Sequence, residues 1–513
     1  MNSLSERLSP PQNPGPSMPS MWIDEAIWGH RLHDEQSPWL IYMEFLNVFM
    51  FEYSKNRAFS EAKGYNTLCY NPCNRLHLRN ILFNNPKLEN IRLIHANDSE
   101  RWKAWFREME TAPGINNPDF RYLKRHFGSF EDLYQIVSII RSTSLEMNSN
   151  KRWTSKFVFP YGEDCLFEDL HQSTNTNDRQ FFGRTGEILY LMLCRSRHTD
   201  KLLSALGDIM MQDGKWNKIV RCLQPDSAGA MRSERANAFL PYMHHDTFDT
   251  LAKDWLSIFR LNIPSHDMIP HFVNLAGFHM VKYQLDVSRQ LLERATPATV
   301  VCEIVAPKKT IVRELSCEHY QENNSLPEQA VEYYLADIQK TGEWIEAVSG
   351  HDAFMKCRRV LEEKVLWPRN EGDYDGPNDP DRLIEDLRDA ALKRHRQHIA
   401  NVHRNYGRAI GLVSKRGTNK LRYAPTDNLL KSLLLSNVPD RIELNHFLAR
   451  LADRYGLILG DREAERILPR EDFDKKAFQA NSRRLEQRLA SLGLLRRLSD
   501  GCAYIINPHR TGK

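Results

Sequence analysis

Between Thr426 and Ile506 apolar residues recur first at helical and then at strand spacing, and they mark out an ordered set of elements. The segment TDNLLKSLLLSN, Thr426 to Asn437, puts Leu429, Leu430, Leu433 and Leu434 on one helical face behind Thr426 or Asp427 as N-cap. The short apolar run Arg441-Ile442-Glu443-Leu444 predicts a small strand. A second helix is predicted from Asn445 to Tyr455, with Phe447, Leu448 and Leu451 inward and Gly456 as C-cap. A third spans about Asp474 to Leu492, its inner face made of Phe478, Leu485, Leu489 and Leu492. Two apolar runs then flank Ser499-Asp500-Gly501, a hairpin signal. Helix, strand, helix, helix, hairpin is the order of a winged helix-turn-helix, most often a nucleic-acid reader. The outer face of the third helix carries Lys476, Arg483, Arg484 and Gln487, and Arg496 and Arg497 open the wing. Arginine and glutamine suit phosphate and base-edge contacts. The same face also fits a solvated surface on a winged helix that docks another protein.

Upstream the pattern is mostly helical. From residue 21 to about 150 the chain is rich in aromatics, with Trp22, Trp28, Trp39, Phe45, Phe49 and Phe51 close together. Such density predicts a helical core or an obligate partner surface. SERWKAWFREME and SFEDLYQIVSIIRS read as capped amphipathic helices. Residues 151–295 predict a second helical domain. It opens with a strand-like run, Lys156 to Pro160, and a polar loop, HQSTNTNDRQ. Phe181-Phe182-Gly183-Arg184-Thr185-Gly186-Glu187 then leads into the apolar ILYLMLCRS. This stretch lacks the spacing of GxGxxG and the Walker Lys-Ser/Thr. Gly183 and Gly186 are expected to shape the approach to a buried helix, with Arg184 and Glu187 in a local polar network. Residues 296–367 are mixed. Thr299–Val305 and Lys309–Leu315 are β-rich around Ala306-Pro307-Lys308 and predict a hairpin, followed by helices from Pro327 to Lys340 and His351 to Leu366. PRNEGDYDGPNDP, Pro368 to Pro380, reads as a linker.

The predicted fold class is therefore mainly α with a small α/β middle segment, multidomain, ending in a winged helix-turn-helix. The divisions fall at 1–20 (tail), 21–150, 151–295, 296–367, 368–381 (linker), 382–424 and 425–513.

Charge changes the picture for 382–424. The 513 residues carry a net charge of +4. From Asp381 onward there are 27 Lys+Arg against 16 Asp+Glu, and the preceding residues hold 43 against 50. The excess peaks between Arg388 and Arg422, with ten basic residues and one acid, Asp389. Beside a winged helix this block predicts a DNA-facing basic arm, with Arg394, Arg396, Arg404, Arg408, Lys415 and Arg416 as phosphate contacts. A solvated helix or a flexible linker would have the same composition.

Other compositional features exclude more than they assign. No apolar run reaches the roughly 18–20 residues that span a bilayer. MNSLSERLSPPQNPGPSMPS is a Pro/Ser-rich, disordered tail without the apolar core of a secretory signal. Nine scattered cysteines predict reduced thiols in a cytoplasm. Cys69, Cys73 and His77 form C-x3-C-x3-H, with His95 the only nearby fourth ligand, and ordinary thiols are the simpler account. His244, His245, Asp246 and Asp249 cluster ahead of His266, His271 and His279, without a metallohydrolase spacing. Glu303 with Lys308 and Lys309 lacks the second acid and the E-x-K of a restriction-type nuclease. No familiar catalytic signature is visible, and neither a cofactor nor a metal is expected.

FQANSRRLEQRLASLGLLRRLSDGCAYIINP resembles the winged-helix ends of large bacterial proteins encoded beside anti-phage defence genes. FFGRTGEILYLMLCRS and VVCEIVAPKKTIVRELSCE are similar to the same group, nearest a non-catalytic component of methylation-associated defence systems. The resemblance implies partnership with a methyltransferase or an ATP-driven effector and supplies no catalytic residues. The leading expectation is a cytoplasmic bacterial scaffold of a multi-protein antiviral defence system that binds duplex DNA. Its partners would be the other proteins of that system, with no membrane. Two alternatives remain open: a metal-dependent nuclease or nucleotide-processing effector acting through His245, Asp246 or Glu303, and a winged-helix transcriptional regulator.

Overall fold

The computed structural model describes residues 7–8, 23–60, 75–82, 87–142, 183–210, 214–225, 238–294, 296–368, 371–415, 420–499 and 502–509. The strand-like run at 156–160, the polar loop at 171–180, Trp22, Cys69, Cys73, Arg416, Asp500 and Gly501 lie outside the described residues.

In chain order the helices begin with α1 (Ile23–Trp28), α2 (Pro38–Ser54), α3 (Leu76–Leu82), α4 (Leu88–Ile94), α5 (Asp98–Met109), α6 (Leu123–His126) and α7 (Phe130–Ser142). Then come α8 (Thr185–Cys194), α9 (Thr199–Met210), α10 (Lys215–Cys222), α11 (Asp246–Phe259) and α12 (Ser265–Leu291). After β1 (Val300–Val301) follow α13 (Ile311–Gln339), α14 (Gly342–Ser349), α15 (Ala353–Val365), α16 (Pro380–Gln397) and α17 (Ile399–Ala409). The chain continues through β2 (Val413–Ser414), β3 (Arg422–Tyr423), α18 (Asp427–Asn437), β4 (Arg441–Glu443), α19 (Leu444–Tyr455) and β5 (Leu457–Ile458). It ends with α20 (Asp461–Ile467), α21 (Lys475–Ser491), β6 (Leu495–Ser499) and β7 (Cys502–Ile506). The described residues are thus mainly helical, with three small sheets.

α2 and α8 are apolar nearly all round and pack on each other at the centre, as helices without a polar face must. Trp28, Tyr42, Phe45 and Phe49 join Trp255 and Phe272 in one apolar cluster that continues to Ile505. This cluster crosses the divisions drawn at 295, 367, 381 and 424. A second cluster gathers α3 to α7 around Trp102, Trp105, Phe120 and Phe130, closed by Val220 of α10 and by Leu223 at its C-cap. The aromatic N-terminal stretch therefore supplies two cores rather than one. Part of the expected disordered tail is fastened: Arg7 bridges Tyr242 and donates to the Ala26 carbonyl.

The hairpin expected over 299–315 does not form. Val300 and Val301 instead pair in parallel with Leu457 and Ile458. The second β-rich run opens α13, where the Thr310 hydroxyl caps the Arg313 amide and Val312, Leu315 and Ser316 turn inward at helical spacing. Burial decides here over the β preference of Ile311 and Val312. Pro327, expected to begin a helix, lies within α13, whose buried face continues past it through Ala330 and Val331.

The C-terminal elements follow the predicted order, with boundaries shifted by a residue or so. β4, β7 and β6 form an antiparallel sheet in that spatial order, with Ile442 opposite Ile505 and Leu495 opposite Ile505. Gly456 ends α19 at φ +73°, and a Cβ there would come 2.4 Å from the Ala298 carbonyl oxygen. β5 and α20, which the apolar spacing does not predict, lie between the second and third expected helices and tie this unit to β1. A buried polar knot also welds it to the body. The carboxylate of Asp254 on α11 accepts from Arg454 at 2.6 Å and from the Tyr455 hydroxyl at 2.8 Å, and lies 2.8 Å from His279 Nε2.

Candidate nucleic-acid interface

α21 is capped by Asp474, whose side chain accepts from the Ala477 amide at 2.9 Å. Its inner face buries Phe478, Leu485 and Leu489, as the spacing predicts. Asn481 joins that face, wholly buried, although its polarity gives no hint of it. Its Oδ1 accepts from the Ile304 amide at 2.8 Å, and its Nδ2 donates to the carbonyls of Cys302 and Leu459, both at 3.0 Å. Arg484 sits beside it, half-buried, donating from Nε to the Ile304 carbonyl at 3.1 Å. The spacing puts Arg484 on the outer face; the structure turns it inward, where it completes the anchoring of α21 to the middle segment. Leu492, expected inward, is 41% exposed because the helix has already ended.

The outer face that remains is Lys475, Lys476, Arg483 and Gln487, all exposed. Lys476, Arg483 and Gln487 sit at relative positions 0, 7 and 11, a rise of about 16 Å along the axis. Arg496 on β6 is exposed, and Arg497, also exposed, has its Nε 3.2 Å from Glu486. Lys476, Arg483, Gln487 and Arg496 have no hydrogen-bond or ion-pair partner among the described residues. Lys475 and Arg441, exposed at the starts of α21 and β4, are not among the sequence candidates. Projecting every cation on the predicted elements, rather than the longest run, finds them.

The basic block behaves differently. It is not an arm: α16 and α17 pack against α12 and α13. Arg394 pairs with the buried carboxylate of Glu25, and His395 Nδ1 lies 3.2 Å from Asp24. Arg396 pairs with Glu328, and Arg388 with Glu332 at 2.7 Å. Arg394 and Arg396, expected to face phosphate, are thus held by carboxylates of the same chain. Arg404, Arg408 and Lys415 are exposed.

The chemical candidates are dispersed. His245 is buried, its Nδ1 accepting from the Thr247 amide at 3.2 Å to cap α11, while Asp246 next to it is exposed. Asp249 accepts from Ser196 and from Arg197, whose Nε lies 2.6 Å away. His271 lies 2.9 Å from the Ser432 hydroxyl, and burial pushes its imidazole down to about 4. His77 rests against Phe120 and Tyr122. Among the described residues no three His, Cys, Asp or Glu side chains converge as a metal would require.

The GRTG stretch has the expected role. Glu44, wholly buried, accepts from the amides of Arg184 at 3.1 Å and Gly186 at 2.8 Å, so an internal carboxylate already occupies the head of α8. Arg184 pairs with Glu187 at 2.8 Å, and a Cβ on Gly186 would strike Glu44 at 2.5 Å.

Comparison of the chain with protein-family models, with curated proteins and with solved structures finds no match in any of the three.

Proposed function

We propose that the chain binds duplex DNA through its C-terminal unit, used as a winged helix, and that the rest is a non-catalytic body on which this unit is rigidly mounted. The observation that carries the reading is the two-sided character of α21. Asn481, Arg484 and the apolar stripe fix one side, and the other presents Lys476, Arg483 and Gln487 to solvent without partners among the described residues. A helix held rigidly with long donors outward is what groove recognition needs. The helix–strand–helix–helix–hairpin order and the β4-β7-β6 sheet support the same reading.

Of the three residues of the metal-dependent alternative, His245 caps α11 through Nδ1 and Glu303 is buried against Arg422, while Asp246 is exposed, which disfavours that reading. Protein docking is favoured by one observation: Leu492 and Leu498, 41% and 67% exposed, lie beside the same basic face. The defence setting and its partner proteins rest on the sequence resemblance alone.

Anisotropy of a labelled duplex with the full chain tests the proposal. The triple variant Lys476→Ala/Arg483→Ala/Gln487→Ala should bind at least tenfold more weakly while keeping its unfolding midpoint. Equal affinity of the two proteins would remove α21 from the interface. Absence of binding by the parent chain would leave protein docking.

A further inference from the structure

A second cationic group lies where β3 meets the first turns of α13, and it contains an arginine with donors that find no acceptor among the described residues. Arg422 is wholly buried, and its Nε is taken by the equally buried Glu303. Its Nη1 and Nη2 have no hydrogen-bond partner among the described residues. A guanidinium carries five N–H donors in a planar fork, so four donors are left facing the interior. Buried donors without acceptors are strongly disfavoured, and those of a cation most of all.

The surroundings sharpen what the acceptor must be. Arg313 Nε lies 3.4 Å from the other oxygen of Glu303, and its side chain is 17% exposed. Cys317, half-buried on α13, follows Ser316, whose hydroxyl donates to the Tyr423 carbonyl and accepts from the Tyr423 amide, both at 2.9 Å. Glu303 thus lies between two arginine side chains, with the exposed Lys420 two residues before Arg422 in the chain. A water would satisfy donors but leave the excess charge, whereas an oxyanion answers both.

We propose that Arg422 and Arg313, with Lys420 at the rim, form a binding site for a phosphate-type oxyanion beside the first turns of α13. The ligand is either a phosphodiester of a nucleic-acid backbone or a free phosphate group. The paired oxygens of such a group match the parallel donors of the Arg422 fork. The site stands on its own observations and does not depend on α21.

Cys317 reports on it. In the full chain, peptide-resolved alkylation would be followed in millimolar inorganic phosphate and in chloride of equal ionic strength, with the exposed Cys222 as internal control. Phosphate should slow labelling of Cys317 at least threefold and leave Cys222 unchanged. Lys420→Ala and Arg313→Gln should each reduce that protection; Lys420 is exposed, so its variant folds even where the arginine change does not. A second arm replaces phosphate with micromolar duplex lacking terminal phosphates. Protection by the duplex assigns the site to a nucleic-acid backbone, and protection by inorganic phosphate alone assigns it to a free phosphate group. Equal labelling of Cys317 in phosphate, duplex and chloride would overturn the proposal, as would protection undiminished in both variants.

Discussion

Between Arg388 and Arg422 ten basic residues stand against one acid, yet Arg388, Arg394, Arg396 and Arg422 each meet a carboxylate from another segment: Glu332, Glu25, Glu328 and Glu303. On α21 and β6, where Lys475 to Ser499 hold seven basic residues against one acid, Arg488 and Arg497 pair with Asp427 and Glu486, while Lys476, Arg483 and Arg496 meet no partner among the described residues. The difference follows from packing. α16 and α17 bury Leu387, His395, His403 and Tyr406 against the body, which brings their flanking cations against acids of α1 and α13. α21 buries one stripe and leaves the opposite one open. A run of like charge in the sequence is thus as much a measure of what the chain must neutralise internally as of what it can bind. The −7 carried before Asp381 is part of that answer.

The comparison can be broken most forcefully on its buried side. Glu25→Ala removes the buried partner of Arg394 and should cost about 3–5 kcal/mol, the range for stripping one member from a buried pair. Urea unfolding would show it; a loss under about 1 kcal/mol would mean that the folded-in block is held by apolar packing alone.

Acid should act on the same region. Burial pushes His403 on α17 to about 3, and His271 to about 4. Both titrate near 6.5 when unfolded, so below about pH 6.5 the unfolded chain binds protons that the folded one refuses. Stability is then full above that pH and falls on acidification, by about 2 kcal/mol per histidine at pH 5. A thermal midpoint unchanged between pH 7 and pH 5 would contradict the burial of both imidazoles.

Adjacent residues give a sharper contrast. Arg484→Ala gives up a charged hydrogen bond to the Ile304 carbonyl and should lose about 1.5–3 kcal/mol of stability. Arg483→Ala, one position earlier and exposed, should stay within about 0.5 kcal/mol and weaken duplex binding instead. A reversal of these two phenotypes would mean that α21 is rotated from the orientation described. The smallest effect belongs to Arg396→Ala. Its ion pair with Glu328 joins two largely exposed side chains, so the variant should be destabilised by less than about 1 kcal/mol, with unchanged DNA affinity.

Much of the C-terminal unit was legible because its signals are local. Leucine spacing, the Gly456 cap and the apolar runs around Ser-Asp-Gly each specify an element by themselves. The head of α8 was legible in part: GRTGE lacks a phosphate-loop spacing and the expected Arg184–Glu187 pair forms, but the carboxylate that occupies the helix head, Glu44, comes from a distant segment that the local sequence does not indicate. What failed depended on distant residues. Val300 and Val301 found their strand partner at Leu457 and Ile458, far along the chain, so the local hairpin reading of 299–315 had no means of competing. The inward turn of Arg484 is set by a carbonyl at Ile304, and the pairing of Arg394 by a carboxylate at Glu25. The Arg422–Glu303–Arg313 group joins three segments that nothing in the sequence links.

The most direct test of the central claim is the salt dependence of duplex binding by the full chain and by the Lys476/Arg483/Gln487 triple alanine variant. If α21 presents its cations to phosphate, the parent's affinity falls steeply with salt. The variant's log–log slope should then be shallower by roughly 0.9 for each phosphate it no longer neutralises, close to 2 when both cations are removed. Equal slopes for the two proteins would show that the exposed cations of α21 do not touch DNA and that the difference between the two basic regions does not govern binding.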